Sequence, residues 1–177
     1  LDKGVEYLFL PSVVSMPRQF ENNEQNRLCP YVQSFAYQVR SALGERLGET
    51  KLLTEPLVWV DGVESVRRSF VALGRQLGLR AGEVKKALAA ALEAQQAFED
   101  DLRRKGREML GGLGEDERLF VLISRPYNGC DPGVNLELPK KFAELGARMI
   151  PLEMLDLGTA ELSGEHEEIH DHMYWSY

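Results

Sequence analysis

"RLFVLISRPYNGCDPGVNLELPKKFAELGARMIPLEML", residues 118–155, is the stretch from which the fold can be read. Its first seven residues, 118–124, form an apolar run rich in strand-favouring side chains, expected to be covered on both faces. A turn-dense stretch follows at 125–135, with Pro126, Gly129, Pro132 and Gly133. Residues 136–145 then read as a helix stopped by Gly146, and 147–155 as a second strand with a helical tail. Strand, helix and strand fit within 118–151, the length of a βαβ unit with parallel strands and a right-handed crossover. Such a unit predicts an α/β fold, Rossmann-like and doubly wound, with mainly parallel strands.

Upstream, residues 81–110 read as one long Ala-rich helix of strong helix formers. Val84, Leu88, Ala91, Leu92, Gln95 and Phe98 make its stripe, and the opposite face is charged, as suits a packing helix. Residues 62–79 have Val63, Val66, Phe70, Leu73 and Leu77 at helical spacing, with Gly78 as the stop. "EPLVWVD" (55–61) is a shorter strand-like run. "VEYLFLPSVV" (5–14) reads as a buried strand ended by Pro11, followed by an irregular polar loop over 15–30. From Pro30 the period becomes helical, with Val32, Phe35, Ala36, Val39 and Leu43 on one face. Pro30 suits the first turn of that helix, which places Cys29 at the N-cap. The expected division is a partial α/β lobe over 1–50 and a second α/β lobe over 51–177, with a main sheet across 53–155. Residues 15–28 are expected to be the most mobile.

A chain of 177 residues suits one domain or two small lobes. Its net charge of −7 argues against a general binder of nucleic acid or of anionic membranes. No apolar run is long enough to span a bilayer, and no signal-peptide pattern is present. Two cysteines far apart in sequence do not make a secreted disulfide framework, so the reading is a reducing cytoplasm. The sequence opens at Leu1, close to a strand-like run, and closes on the aromatic "HMYWSY". It is therefore expected to be a domain of a longer protein.

In open α/β sheets, ligands bind beyond the carboxyl ends of strands. Two strand-to-helix loops have that placement here, and each holds a cysteine. Helix N-termini favour anions, among them the thiolate form that ligands and nucleophiles need. Cys29 reads either as such a thiol or as a small structural cysteine. Cys130, between Gly129 and Asp131, reads as structural. Arg125 suits a bidentate grip on phosphate or carboxylate, or a surface salt bridge. No G-x-G-x-x-G and no G-K-[ST] motif is present, so neither a dinucleotide fingerprint nor a Walker loop is encoded. "HEEIH" (166–170) matches H-E-x-x-H literally, with His166 and His170 as ligands and Glu167 as base. Ser163 and Gly164 start any helix right at the motif, and His172 lacks the spacing of a third ligand. It reads as an exposed acidic segment, with incidental metal capture left open.

"YLFLPSVVSMP" (7–17), "CPYVQ" (29–33), "RPYNGCDPGVNLELPKKFAELGARMIPLEML" (125–155) and "MYWSY" (173–177) together resemble the large CoA-substrate-specific enzyme activases. These join activator ATPase modules to a part related to 2-hydroxyacyl-CoA dehydratase subunits. The resemblance implies a dehydratase-like α/β fold, a [4Fe-4S] cluster held by cysteines, and electron transfer driven by ATP hydrolysis in the activator module. Cys29 matches the cysteine of the family's C-P-Y motif and is, by resemblance, a cluster ligand. Arg125, Pro126, Tyr127 and Asn128 match the G-R-P-Y-N loop, and Arg125, Tyr127 and Asn128 are carried over as its binding residues. Ser124 stands where that loop's glycine is expected. No role transfers to Cys130. Activator ATPase motifs are absent, and two cysteines are too few for a cubane, so further ligands are expected beyond Tyr177 or on a partner.

The resemblance therefore implies part of an iron–sulfur redox protein of the dehydratase and activase group, contributing Cys29 to a cluster. A reading of another class is a non-catalytic module whose loops at 15–30 and 125–135 hold an acyl-CoA or pantetheine, or contact the activator. If both strands share one sheet, the two loops open on a common crevice lined by Cys29, Arg125 and Tyr127. If they lie in separate lobes, the crevice lies between lobes and the 81–110 helix bridges them.

Overall fold

The computed structural model of the protein describes residues 4–17 and 26–156. It is mixed α/β, with three parallel strand pairs among the described residues and one isolated antiparallel bridge between Ser15 and Arg27. The chain divides at Ala90/Ala91 into two compact units. The expected boundary after residue 50 falls inside the first of them.

The first unit begins with β1 (Tyr7–Phe9) and β2 (Ser12–Ser15), continues through α1 (Pro30–Leu43), and returns as β3 (Lys51–Leu53) and β4 (Pro56–Val58). β1 pairs with β3, Tyr7 opposite Lys51, and β2 pairs with β4, Ser12 opposite Pro56. The strand expected to end at Pro11 thus resumes directly after it. Pro11 and Pro56 each withhold an N–H, so what would be one ladder is split into two short pairs. Residues 51–58 join the N-terminal strands rather than the 118–151 segment, so one sheet over 53–155 does not form.

Buried Ser12 and Ser15 lock this arrangement. Ser12 Oγ donates to the carbonyl of Gln33 on α1. Ser15 Oγ accepts from the Val60 N–H at 3.1 Å. The described ends of the 15–30 loop are also tied together. Met16 N donates to Asn26 O at 2.9 Å, and Leu28 N donates to Val14 O at 3.1 Å. The middle of that loop, 18–25, lies outside the described residues.

α2 (Val63–Gln76) ends in a Schellman motif, with Leu79 N donating to Gly74 O at 2.8 Å across Gly78 at φ 75°. The next helix, α3 (Ala81–Gly111), starts where Glu83 reaches back to accept from the Arg80 backbone N–H at 2.9 Å. Val66, Leu73, Val84 and Leu88 are buried with Leu53 and Leu57, the core of this unit. Gly74 lets α2 approach Val84 closely, since a Cβ at 74 would collide with the Val84 side chain.

The second unit contains the rest of α3, then β5 (Leu119–Leu122), a single helical turn α4 (Pro126–Gly129), α5 (Leu138–Glu144) and β6 (Arg148–Pro151). β5 and β6 are parallel, Leu119 opposite Arg148 and Leu122 opposite Pro151, so the expected βαβ unit forms. Phe142 of α5 packs edge-to-face on Phe120, with ring centroids 4.9 Å apart. Ile150 is fully buried. The expectation that 118–124 is covered on both faces is corrected. Phe120 and Val121 are exposed and Ile123 is 77% exposed, because α5 covers only part of a two-stranded sheet. The stripe expected on α3 also shifts, with Phe98 exposed and Gly106 buried.

Candidate functional site

The loop leaving β5 is closed by its own hydrogen bonds. Arg125 is the N-cap of α4, and its carbonyl accepts from the N–H groups of Asn128 and Gly129, both at 2.9 Å. Ser124 Oγ donates to the same carbonyl at 3.1 Å. Ser124 Oγ also occupies the space where a Cβ on Gly129 would lie. The serine that replaces the expected glycine thus packs against a glycine four residues after Arg125. Asp131 Oδ1 accepts from Gly133 N at 2.8 Å and Val134 N at 2.9 Å, an Asx turn that reverses the chain. Asn135 Nδ2 donates to Gly129 O at 2.6 Å and ties the end of the loop to its start. Leu136 and Glu137 follow at positive φ, 55° and 57°, before α5 begins.

Between this loop and the ends of β5 and β6 lies a cleft of about 390 Å³, within the size range of small-molecule sites. Leu122, Met149, Ile150 and Pro151 line it from the strands, and Gly129, Cys130, Pro132 and Asn135 line it from the loop. Glu137 and Lys140 also line it, and pair with each other at 3.5 Å on the exposed side. Asn135 Oδ1 is buried and has no hydrogen-bond partner, the sole such side-chain atom among the described residues. The cleft sits at the carboxyl ends of two parallel strands, where α/β proteins place ligands.

The residues expected from sequence are distributed around this cleft rather than in it. Tyr127 is 70% exposed and Asn128 is exposed, both on α4. Arg125 is half-buried, and its guanidinium has no ion-pair partner among the described residues. Cys130, read as structural, is an exposed free thiol at the cleft. Asn135 and the Met149–Pro151 wall were not singled out. Asn135 reads as an ordinary turn residue, and only the tertiary fold buries it.

Cys29 lies in the first unit. It is the N-cap of α1 as expected, exposed, with no side-chain capping bond. Its carbonyl accepts from Gln33 N at 3.1 Å. Tyr31, Val32 and Phe35 are exposed beside it on α1. Because β1 and β2 share no sheet with β5, the two cysteine loops do not open from one sheet. Among the described residues no group of three or more His, Cys, Asp or Glu could hold a metal ion. "HEEIH" and "MYWSY" lie outside the described residues. The first unit has a second groove, lined by Glu64, Arg67, Arg68, Val71, Arg75, Ala81 and Lys85. Its signal in the sequence was the recurrence of arginine at helical spacing over 67–75.

The family model described as CoA enzyme activase uncharacterised domain (DUF2229) matches residues 1–155. The chain belongs to that family. No curated protein and no solved structure matches it. Among the described residues, no helix is long and apolar enough to cross a membrane.

Proposed function

We propose that this chain is a non-catalytic, cytoplasmic ligand-binding module of a CoA enzyme activase system. It takes a CoA ester at the loop after β5. ATP hydrolysis belongs to an activator ATPase module and electron transfer to another part of the assembly. The observation behind this reading is the cleft at the carboxyl ends of β5 and β6, in a chain of a CoA enzyme activase family. Arg125, with no ion-pair partner among the described residues, is the group for a phosphate or carboxylate of the ester, and Tyr127 and Asn128 flank it on the same turn. In this reading the parallel pairs are portions of a Rossmann-like, doubly wound arrangement. Isothermal titration of the protein with CoA and acetyl-CoA tests it. Saturable binding is expected, weakened about tenfold or more by Arg125→Ala, as for loss of one charge-assisted contact. Absence of binding by either ligand overturns it.

A second reading gives Cys29 to a [4Fe-4S] cluster, and its support is the exposed, uncommitted thiol at the mouth of α1. The described residues do not fit such a cluster by themselves. A cubane takes several thiolates, and the two cysteines fall in different units. Cys29 would be one ligand among others supplied from elsewhere. Anaerobic reconstitution of the full-length parent with Cys29→Ala is the check. Iron content and EPR signal should fall, and an unchanged signal removes the assignment.

A further inference from the structure

We infer that the groove between α2 and the start of α3 is an anion site of the first unit, and that its ligand is a diphosphate group, free or carried on a nucleotide. The inference does not rest on the CoA-ester reading, which concerns the loop after β5 in the second unit.

The groove is built by helical spacing. Glu64, Arg67, Arg68, Val71 and Arg75 recur three and four residues apart on α2, which puts them along one face. Ala81 and Lys85, four residues apart, line it from α3. The close approach of Gly74 to Val84 joins the two helices, and the residues next in sequence, Arg75 and Lys85, come to the same groove. Like charges gathered in this way repel, a cost that a bound anion would remove.

Four cations line the groove against one carboxylate, in a chain whose net charge is −7. That carboxylate, Glu64, is paired with Arg67. Arg68, Arg75 and Lys85 have no ion-pair partner among the described residues. Helical neighbours cannot supply one to the last two. Val71, Ala72, Gly78 and Leu79 stand three and four residues from Arg75, and Ala81, Gly82, Leu88 and Ala89 from Lys85. Further along α3 the pattern is the opposite, with Arg103, Arg104 and Arg107 each matched to an acid. At the groove an otherwise acidic chain withholds its carboxylates.

The walls select the anion. The planar fork of a guanidinium fits the oxygens of phosphate or carboxylate two at a time. A carboxylate brings one charge, so meeting three unpaired cations would take three acidic side chains in a groove of about 420 Å³. Val71 and Ala81 are the apolar lining, too little to seat the anchor side chain on which peptide binding depends. One phosphate brings about two charges at neutral pH, and a linked pair concentrates more in the same small volume. A diphosphate therefore answers the three cations within one group.

The test is an NMR titration of the whole ¹⁵N-labelled chain with inorganic pyrophosphate, at about 0.15 M salt so that weak long-range attraction is screened. Saturable shifts are expected at 64–75 and 81–85. Arg75→Gln with Lys85→Gln should raise the Kd about tenfold or more, as for lost charge-assisted contacts. Both side chains are exposed, and the Tm of this double variant should be no lower than that of the parent. A lower Tm would show the two cations already partnered and overturn the inference. Sodium sulfate at the same ionic strength is the control for charge alone, and decaglutamate the control for an acidic peptide. Sulfate shifts as large as those from pyrophosphate, tighter binding of decaglutamate than of pyrophosphate, or an unchanged Kd in the double variant would each overturn it as well. ADP separates the two sources. Binding about tenfold tighter than that of pyrophosphate assigns the nucleotide, and equal or weaker binding assigns the free diphosphate.

Discussion

Gly106 of α3 lies against the carbonyl oxygen of Met154, with no room between them for a methyl group. A glycine inside a long helix costs about 0.5–1 kcal/mol relative to alanine. This contact gives the reason for it. It brings the turn after β6 onto the helix, and so helps to hold the end of the strand that walls the cleft.

Gly106→Ala is therefore expected to destabilise the protein by about 1–3 kcal/mol, as overpacking does, where an open helix site would gain from the same change. The obstacle is backbone, so adding Met154→Ala should give no relief. Urea denaturation of the single and double variants decides this. A Gly106→Ala protein more stable than the parent would contradict the packing.

Gly74 offers the contrasting case. The atom that a Cβ would meet there belongs to the Val84 side chain. Gly74→Ala should destabilise by about 1–3 kcal/mol, and Val84→Ala in the same chain should recover part of the loss. A double-mutant cycle should give a coupling energy of about 0.5–3 kcal/mol. Strict additivity would show that the two helices do not meet at this pair.

Cys29 occupies an N-cap without capping, at φ −53° and ψ 139°. Cys29→Asp should stabilise α1 by about 0.5–2 kcal/mol by accepting from the free N–H groups of the first turn. Cys29→Ala should leave stability nearly unchanged, because the thiol is exposed and makes no bond. Thermal unfolding of both variants checks this. A large loss in Cys29→Ala would make the cysteine structural.

The carboxylate of Glu83 is held below its usual range, first by the Arg80 guanidinium and then by the Arg80 backbone N–H. A depressed carboxylate stabilises the fold above its unfolded titration range, and that contribution fades as the pH falls through the folded one. Unfolding of wild type against Glu83→Gln should therefore differ at neutral pH and converge in acid. A difference that stays constant into acid would assign the effect to shape rather than charge.

The helices were largely legible because their stripes are local. Val66 and Leu73 of α2, and Val84 and Leu88 of α3, recur at helical spacing and are buried. Pro30 and Gly78 mark a start and a stop by backbone chemistry alone. The βαβ unit was legible from Gly146 and the two apolar runs around it. β3 was not, since Lys51–Leu53 is too short to show a period and exists through its pairing with Tyr7–Phe9. The exposure of Ile123 was not legible either, because an apolar run does not say how many neighbours its strand will find. At the site, the loop after β5 was found, but its cleft was not. That cleft depends on Asn135 folding back to Gly129 and on β6 lying alongside β5, neither of which is local.

The most direct test of the central claim is heteronuclear NMR of the ¹⁵N-labelled protein titrated with acetyl-CoA. Shift changes should cluster at 122–137 and at Met149 and Ile150, the loop and strand ends around the cleft. A saturating titration that leaves those resonances in place, or moves only residues of the first unit, would contradict it.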